Sequence, residues 1–124
     1  LGMGQGRRRR LIINFLQPCL LRLLARENSH GYNLLTDLES FGFDVEILDP
    51  SLVYRNLRDM ESLSLVQSEW DDESQGPQRR MYQITPQGRQ FLQEWIHDLE
   101  RTQLDIQKVL TTYHNWTNSS EKEK

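Results

Sequence analysis

The sequence predicts a mainly α fold with a small β-hairpin and a long C-terminal helix. Three observations predict it. A proline-started helix begins at Asp49-Pro50, two short alternating stretches flank a polar tip between Leu65 and Ile84, and a second proline start at Thr85-Pro86 opens a heptad stripe. Helix, strand, polar tip, strand and helix, in that order, make a winged helix-turn-helix followed by a dimerisation helix.

The elements follow from local chemistry. Leu1-Gly2 ahead of Met3 reads as a tag remnant, and Arg7, Arg8, Arg9 and Arg10 as a basic arm. Leu11 to Arg26 is apolar, with Pro18 either in the first turn of a helix or as a break after a preceding turn. Asn28-Ser29 supplies a cap for a second helix from about Gly31 to Ser40, with Leu34, Leu35 and Leu38 inward and Gly42 as its stop. The short loop to Asp49 makes the second and third helices a helix-turn-helix pair.

The third helix starts where the Asp49 carboxylate can accept orphan N–H groups and Pro50 gives up a donor that has no partner there. Leu52, Val53, Leu57, Met60 and Leu63 form its buried stripe. Its other face shows Ser51, Tyr54, Arg55, Arg58, Asp59 and Ser62, a mixture of hydroxyl, ring and guanidinium suited to base edges and phosphates. Taken alone, such a face is the ordinary solvated side of a helix. The hairpin that follows changes its meaning.

Leu65 to Trp70 and Gln78 to Ile84 alternate with period two, which puts Arg80, Tyr82 and Ile84 on one face and Arg79, Met81 and Gln83 on the other. Asp71 to Pro77 between them is polar and rich in turn formers, as an exposed wing requires. Arg79 and Arg80 leave the tip where a hairpin beside a recognition helix meets the sugar-phosphate backbone. Because they alternate, they cannot share one job: at least one contacts the backbone and the other can brace the wing.

The last helix reaches about Tyr113. Leu92, Trp95, Leu99, Thr102, Ile106, Val109, Tyr113 and Trp116 recur at spacings of three and four, a stripe too long for so small a body to cover. A second copy is the economical cover, and Leu92, Trp95, Leu99, Ile106, Val109 and Tyr113 are its expected interface. The expected organisation is an arm at 1–10, a DNA-binding domain at 11–85, a dimerisation helix at 86–115 and a disordered polar tail at 116–124.

A chain of 124 residues is about one domain. Its net charge of −3 argues against an extended basic surface, but residues 7–89 draw every positive charge from arginine, so a DNA face must be a local patch. The single cysteine, Cys19, excludes an internal disulfide and reads as a small buried hydrophobe, consistent with a cytoplasmic protein. No signal peptide or membrane-spanning run is evident, so the two glycosylation sequons at Asn115 and Asn118 read as chance. His30 reads as structural. His97 and His114 lack the spacing of metal ligands, and there is neither a phosphate loop nor a nucleophile elbow. The expectation is a protein without metal, cofactor or enzymatic activity.

These residues resemble the PadR-like winged-helix regulators over roughly Leu16 to Tyr113. The likeness lies in His30-Gly31-Tyr32, in Tyr54, Leu57 and Met60, in Leu65-Val66, in Arg79-Arg80 with Tyr82, and in Thr85-Pro86 with Gly88-Arg89. The resemblance implies a dimeric regulator, usually a repressor, that binds operator DNA through the third helix and the wing. Two positions depart from the family. Ser64 replaces the usual glycine after the recognition helix, so that turn is expected to close without a left-handed residue; Leu99 stands where drug-binding members carry a tryptophan, with Trp95 one turn earlier. The short length, basic arm and single long helix also resemble the cyanobacterial period-extender type within the family, which implies repression of a circadian clock gene. Two other readings stay open: a ligand-sensing regulator with an aromatic effector pocket at the dimer interface, and a winged helix used only for protein contacts.

Overall fold

The computed structural model describes residues 14–71 and 79–123. The basic arm and the wing tip at 72–77 lie outside the described residues. In chain order the elements are α1 (Leu16–Arg26), β1 (Ser29–His30), α2 (Gly31–Asp37), a 3-10 turn (Leu38–Phe41), α3 (Pro50–Ser62), β2 (Val66–Asp71), β3 (Arg79–Ile84) and α4 (Pro86–Glu123).

The helices around the core form for the reasons their sequences suggest. Leu16, Leu20, Leu21 and Leu24 share one face of α1 and are fully buried, while Pro18 occupies the first turn, where its missing donor costs nothing. Leu34 and Leu38 join them from α2 and the 3-10 turn. The second helix therefore tightens after Asp37 instead of running as α-helix to Ser40, and Gly42 ends it at φ 90°. Val53, Leu57 and Met60 complete the core from α3. Leu63, expected in that stripe, is 63% exposed because it caps the helix and has rotated off the buried face.

The expected cap of α2 by Asn28 and Ser29 is not made: the Asn28 amide donates to Gln83, and the Ser29 hydroxyl to the His30 carbonyl. Ser29 and His30 lie in a short strand instead, so the expected two-stranded hairpin is a three-stranded antiparallel sheet in the order β1-β3-β2. The register pairs Ser68 with Tyr82, Trp70 with Arg80 and Asp71 with Arg79. Val66 and Tyr82 are buried from its inner face.

The turn between α3 and β2 corrects a second expectation. Ser64 is itself left-handed, at φ 62°. The Leu65 N–H donates to the Met60 carbonyl (2.9 Å) and the Ser64 N–H to the Glu61 carbonyl (3.0 Å), the Schellman pattern with buried Leu65 packed near buried Met60. The hydroxyl of Thr85 donates to the Ser64 carbonyl (2.6 Å), with the Leu65 carbonyl at 3.0 Å, and its oxygen accepts the Gly88 N–H (2.9 Å) to cap α4.

The compact body runs through Leu92, which is buried with Phe91 against the core. From Gln93 onward the helix is a separate unit. It continues to Glu123, so residues 116–123, expected as a disordered tail, are helical. Leu104, Ile106, Val109, Leu110, Tyr113 and Trp116 are exposed on it, whereas Trp95 and Leu99 are half-buried. No helix of the described residues is long and apolar enough to cross a membrane.

Two stability outcomes follow from the α3–β2 turn. Ser64→Gly relieves a left-handed penalty of about 1–2 kcal/mol and adds a glycine entropy cost of about 0.5–1 kcal/mol, so urea unfolding should show a gain of about 0.5–1 kcal/mol. A Cβ at Gly88 would fall on the Leu65 carbonyl oxygen and crowd Ile84, so Gly88→Ala should lose about 1–3 kcal/mol in the same measurement.

Candidate nucleic-acid interface

The exposed face of α3 is set by its cap. The Asp49 carboxylate accepts the Ser51 N–H at 2.9 Å, and Pro50 occupies the first helical position. With Val53, Leu57 and Met60 turned inward, Ser51, Tyr54, Arg55 and Arg58 are left on the solvent side at helical spacing. Asp59 and Ser62 are also exposed, with the Ser62 hydroxyl donating back to the Asp59 carbonyl (2.7 Å). Asn56 lies between the two faces and accepts from the Gln17 amide at 3.1 Å, which ties α3 to α1.

Tyr54 does two things at once. Its ring packs directly over Gly31, where any Cβ would strike ring carbons, yet the side chain remains 37% exposed. That close approach is a physical reason for glycine at the start of α2. An amphipathic ring can hold the helix pair together and still offer its hydroxyl to solvent.

Beside this face lies a groove of about 410 Å³ lined by His30, Tyr32, Tyr54, Arg79, Arg80 and Tyr82. The third helix, the start of the second and the outgoing strand of the wing therefore border one concavity. Burial pushes the Tyr82 hydroxyl pKa upward, and the charge of Glu61 adds to this while Arg80 opposes it.

The two wing arginines differ. Both are exposed, but Arg79 stands opposite Asp71 in the register. Arg80 lies on the face shared with Tyr82; its Nη1 donates to Ser68 Oγ at 2.9 Å and its guanidinium sits 4.6 Å from the centre of the Trp70 ring. Ser68 in turn donates to the Glu61 carboxylate, at 2.6 and 2.9 Å from its two oxygens. Sequence reasoning passed over Glu61 and Ser68. Alternation places Ser68 beside Arg80, but only the fold brings the last turn of α3 to it.

His30, expected to hydrogen-bond near the cap, instead makes a contact distant in sequence. Its Nε2 lies 2.8 Å from Asp71 Oδ2, both side chains largely shielded, which ties β1 to the end of β2 at the base of the wing. Cys19 packs against the core, and burial raises its thiol pKa to about 11. A thiol so rarely ionised is a packing residue.

Comparison with known proteins agrees with this architecture. Residues 20–94 match the model of the transcriptional regulator PadR-like family. The transcriptional regulator YqjI of Escherichia coli is 31% identical over 94 residues, or 75% of this chain, and the chain spans 44% of that protein's length. Among solved structures, a PadR family transcriptional regulator from Eggerthella lenta superposes with a TM-score of 0.79 at 26% identity, covering 88% of this chain and 93% of the other. A PadR-like regulator from Bacillus cereus gives a TM-score of 0.69 at 26% identity, over 82% and 96% of the two chains. With its family match spanning more than half the sequence and the winged helix-turn-helix in place, the chain belongs to the PadR-like family of transcriptional regulators.

Proposed function

We propose that this chain is a homodimeric repressor that reads duplex operator DNA with Ser51, Tyr54, Arg55 and Arg58 of α3 and with the wing that carries Arg79 and Arg80. The observation that supports it best is the groove that Tyr54 of α3 borders together with Arg79 and Arg80 of the wing. A helix of this kind enters the major groove while the hairpin meets the adjacent backbone. Arg7 to Arg10 add phosphate contacts from the arm in this reading. The domain plan is a DNA-binding unit at 11–85 and a dimerisation helix at 86–115.

Dimerisation is supported by apolar side chains that solvent would otherwise cover. Ile106, Val109 and Tyr113 are each more than half exposed on one helix. Trp95 and Leu99, both half-buried, continue the same stripe toward the body, whereas Leu92, expected in the interface, is already buried in the chain's own core. A second copy would bury the line from Trp95 onward as a coiled-coil seam. Two-fold pairing would present two recognition helices to a palindromic site. The resemblance to the period-extender type makes a circadian clock gene the first operator to test.

Selection of bound fragments from genomic DNA, followed by footprinting, should give one protected palindrome. On that duplex, Arg55→Ala or Arg58→Ala should cost about 1–3 kcal/mol, or roughly ten- to a hundredfold in affinity. Wild-type affinity in both variants would remove α3 from the interface. No retention of DNA even at low salt would leave a winged helix used only for protein contacts.

The dimer is tested separately by sedimentation. Ile106→Glu combined with Val109→Glu should convert a dimer to a monomer and weaken operator binding. A wild-type chain that sediments as a monomer at micromolar concentration would end the dimer proposal.

A further inference from the structure

The hydrogen-bond chain at the inner face of the hairpin has a fixed direction. Arg80 can only donate, an ionised Glu61 can only accept, and the one hydroxyl hydrogen of Ser68 is directed at the Glu61 carboxylate. The lone pairs of Ser68 are thereby left for the guanidinium, and both links are charge-assisted. Trp70, paired with Arg80 across the strands, supplies a ring face 4.6 Å from the same guanidinium. Four side chains thus join the last turn of α3 to both strands of the hairpin, within the compact body. Arg79, one residue earlier, projects to the opposite face of the strand; both arginines are exposed, and it is the contacts of Arg80 with Ser68 and Trp70 that set them apart.

We propose that Glu61, Ser68, Arg80 and Trp70 form a positioning relay that fixes the wing against the recognition helix, leaving Arg79 as the wing arginine that meets phosphate. This assignment rests on the DNA-binding reading above. Arg80 is a positioning residue in it: its Nη1 is held by Ser68 and one face of its guanidinium by Trp70. The relay matters because base and backbone contacts must be made together, and a hairpin free to tilt against α3 would lose that register.

Two measurements on the full chain test the relay. The first is titration of a duplex selected on the wild-type chain from a random-sequence pool, at several salt concentrations. Arg79→Ala should weaken binding and reduce the log–log salt slope by about one, as loss of a phosphate contact does. Ser68→Ala and Arg80→Ala should each weaken binding on the order of tenfold while keeping the wild-type slope, and the double variant should be no worse than the poorer single. The second measurement is amide hydrogen exchange of the free chain, where both variants should accelerate exchange in residues 66–71 and 79–84 but not in α1.

A reduced slope for Arg80→Ala would make Arg80 a phosphate ligand and overturn the relay. Unchanged binding in Ser68→Ala, additive losses in the double variant or unchanged exchange in the hairpin would overturn it as well. If the wild-type chain retains no duplex, the DNA reading fails first and the positioning role falls with it. That result is separable from a failed relay, in which wild type binds and the variants do not behave as stated.

Discussion

Between α3 and β2 the chain reverses through a single left-handed residue, and the carbonyls of Ser64 and Leu65 are presented to the segment that follows the hairpin. The Leu65 carbonyl accepts the Thr85 N–H at 3.1 Å, and the Thr85 hydroxyl closes on Ser64. Gly88 is small enough to lie against the same carbonyl. One dipeptide therefore joins the end of α3, both strands and the first turn of the long helix. Were it to open, α3 could remain helical and the strands could remain paired, but their mutual orientation would be lost. The proposed two-part reading of DNA depends on that orientation.

The conformational cost is concentrated at one place. Ser64 adopts a backbone region that disfavours a side chain, and its carbonyl is compensated by the short hydrogen bond from Thr85. The remaining elements are ordinary in their energetics. Leucines of α1, the aliphatic face of α3 and the inner face of the sheet exclude water, and no described buried side-chain polar atom lacks a hydrogen-bond partner.

What could be read from the sequence was what is decided locally. Asp49-Pro50 and Thr85-Pro86 mark helix starts because a cap acts within three residues, and the exposed face of α3 follows from helical spacing alone. β1 was not legible, since two residues have no period and Ser29-His30 becomes a strand only by pairing with Tyr82 and Met81. Nor was the left-handed turn, where serine lacks the backbone licence of glycine and tertiary bonds impose the conformation. The helix beyond Tyr113 carries Asn115, Thr117, Asn118, Ser119 and Ser120, polar residues of weak helix propensity, so the segment read as a polar tail rather than as helix. At the candidate interface the division is the same: alternation separated Arg79 from Arg80, but Glu61 and Ser68 meet only because the hairpin folds back onto the helix.

The brevity of β1 has a bearing on solubility. A sheet that displays a long unpaired border invites another chain to extend it, and a protein brought to high local concentration at its target is exposed to that risk. Here one border is only Ser29 and His30, too short to template a ladder. The other, β2, carries Glu69 and Asp71 on one face and Trp70 engaged by Arg80 on the other. The exposed Glu69 carboxylate repels an incoming copy, and the stacked guanidinium keeps a cation over the large Trp70 ring. This small sheet is thus poorly suited to be extended by another chain.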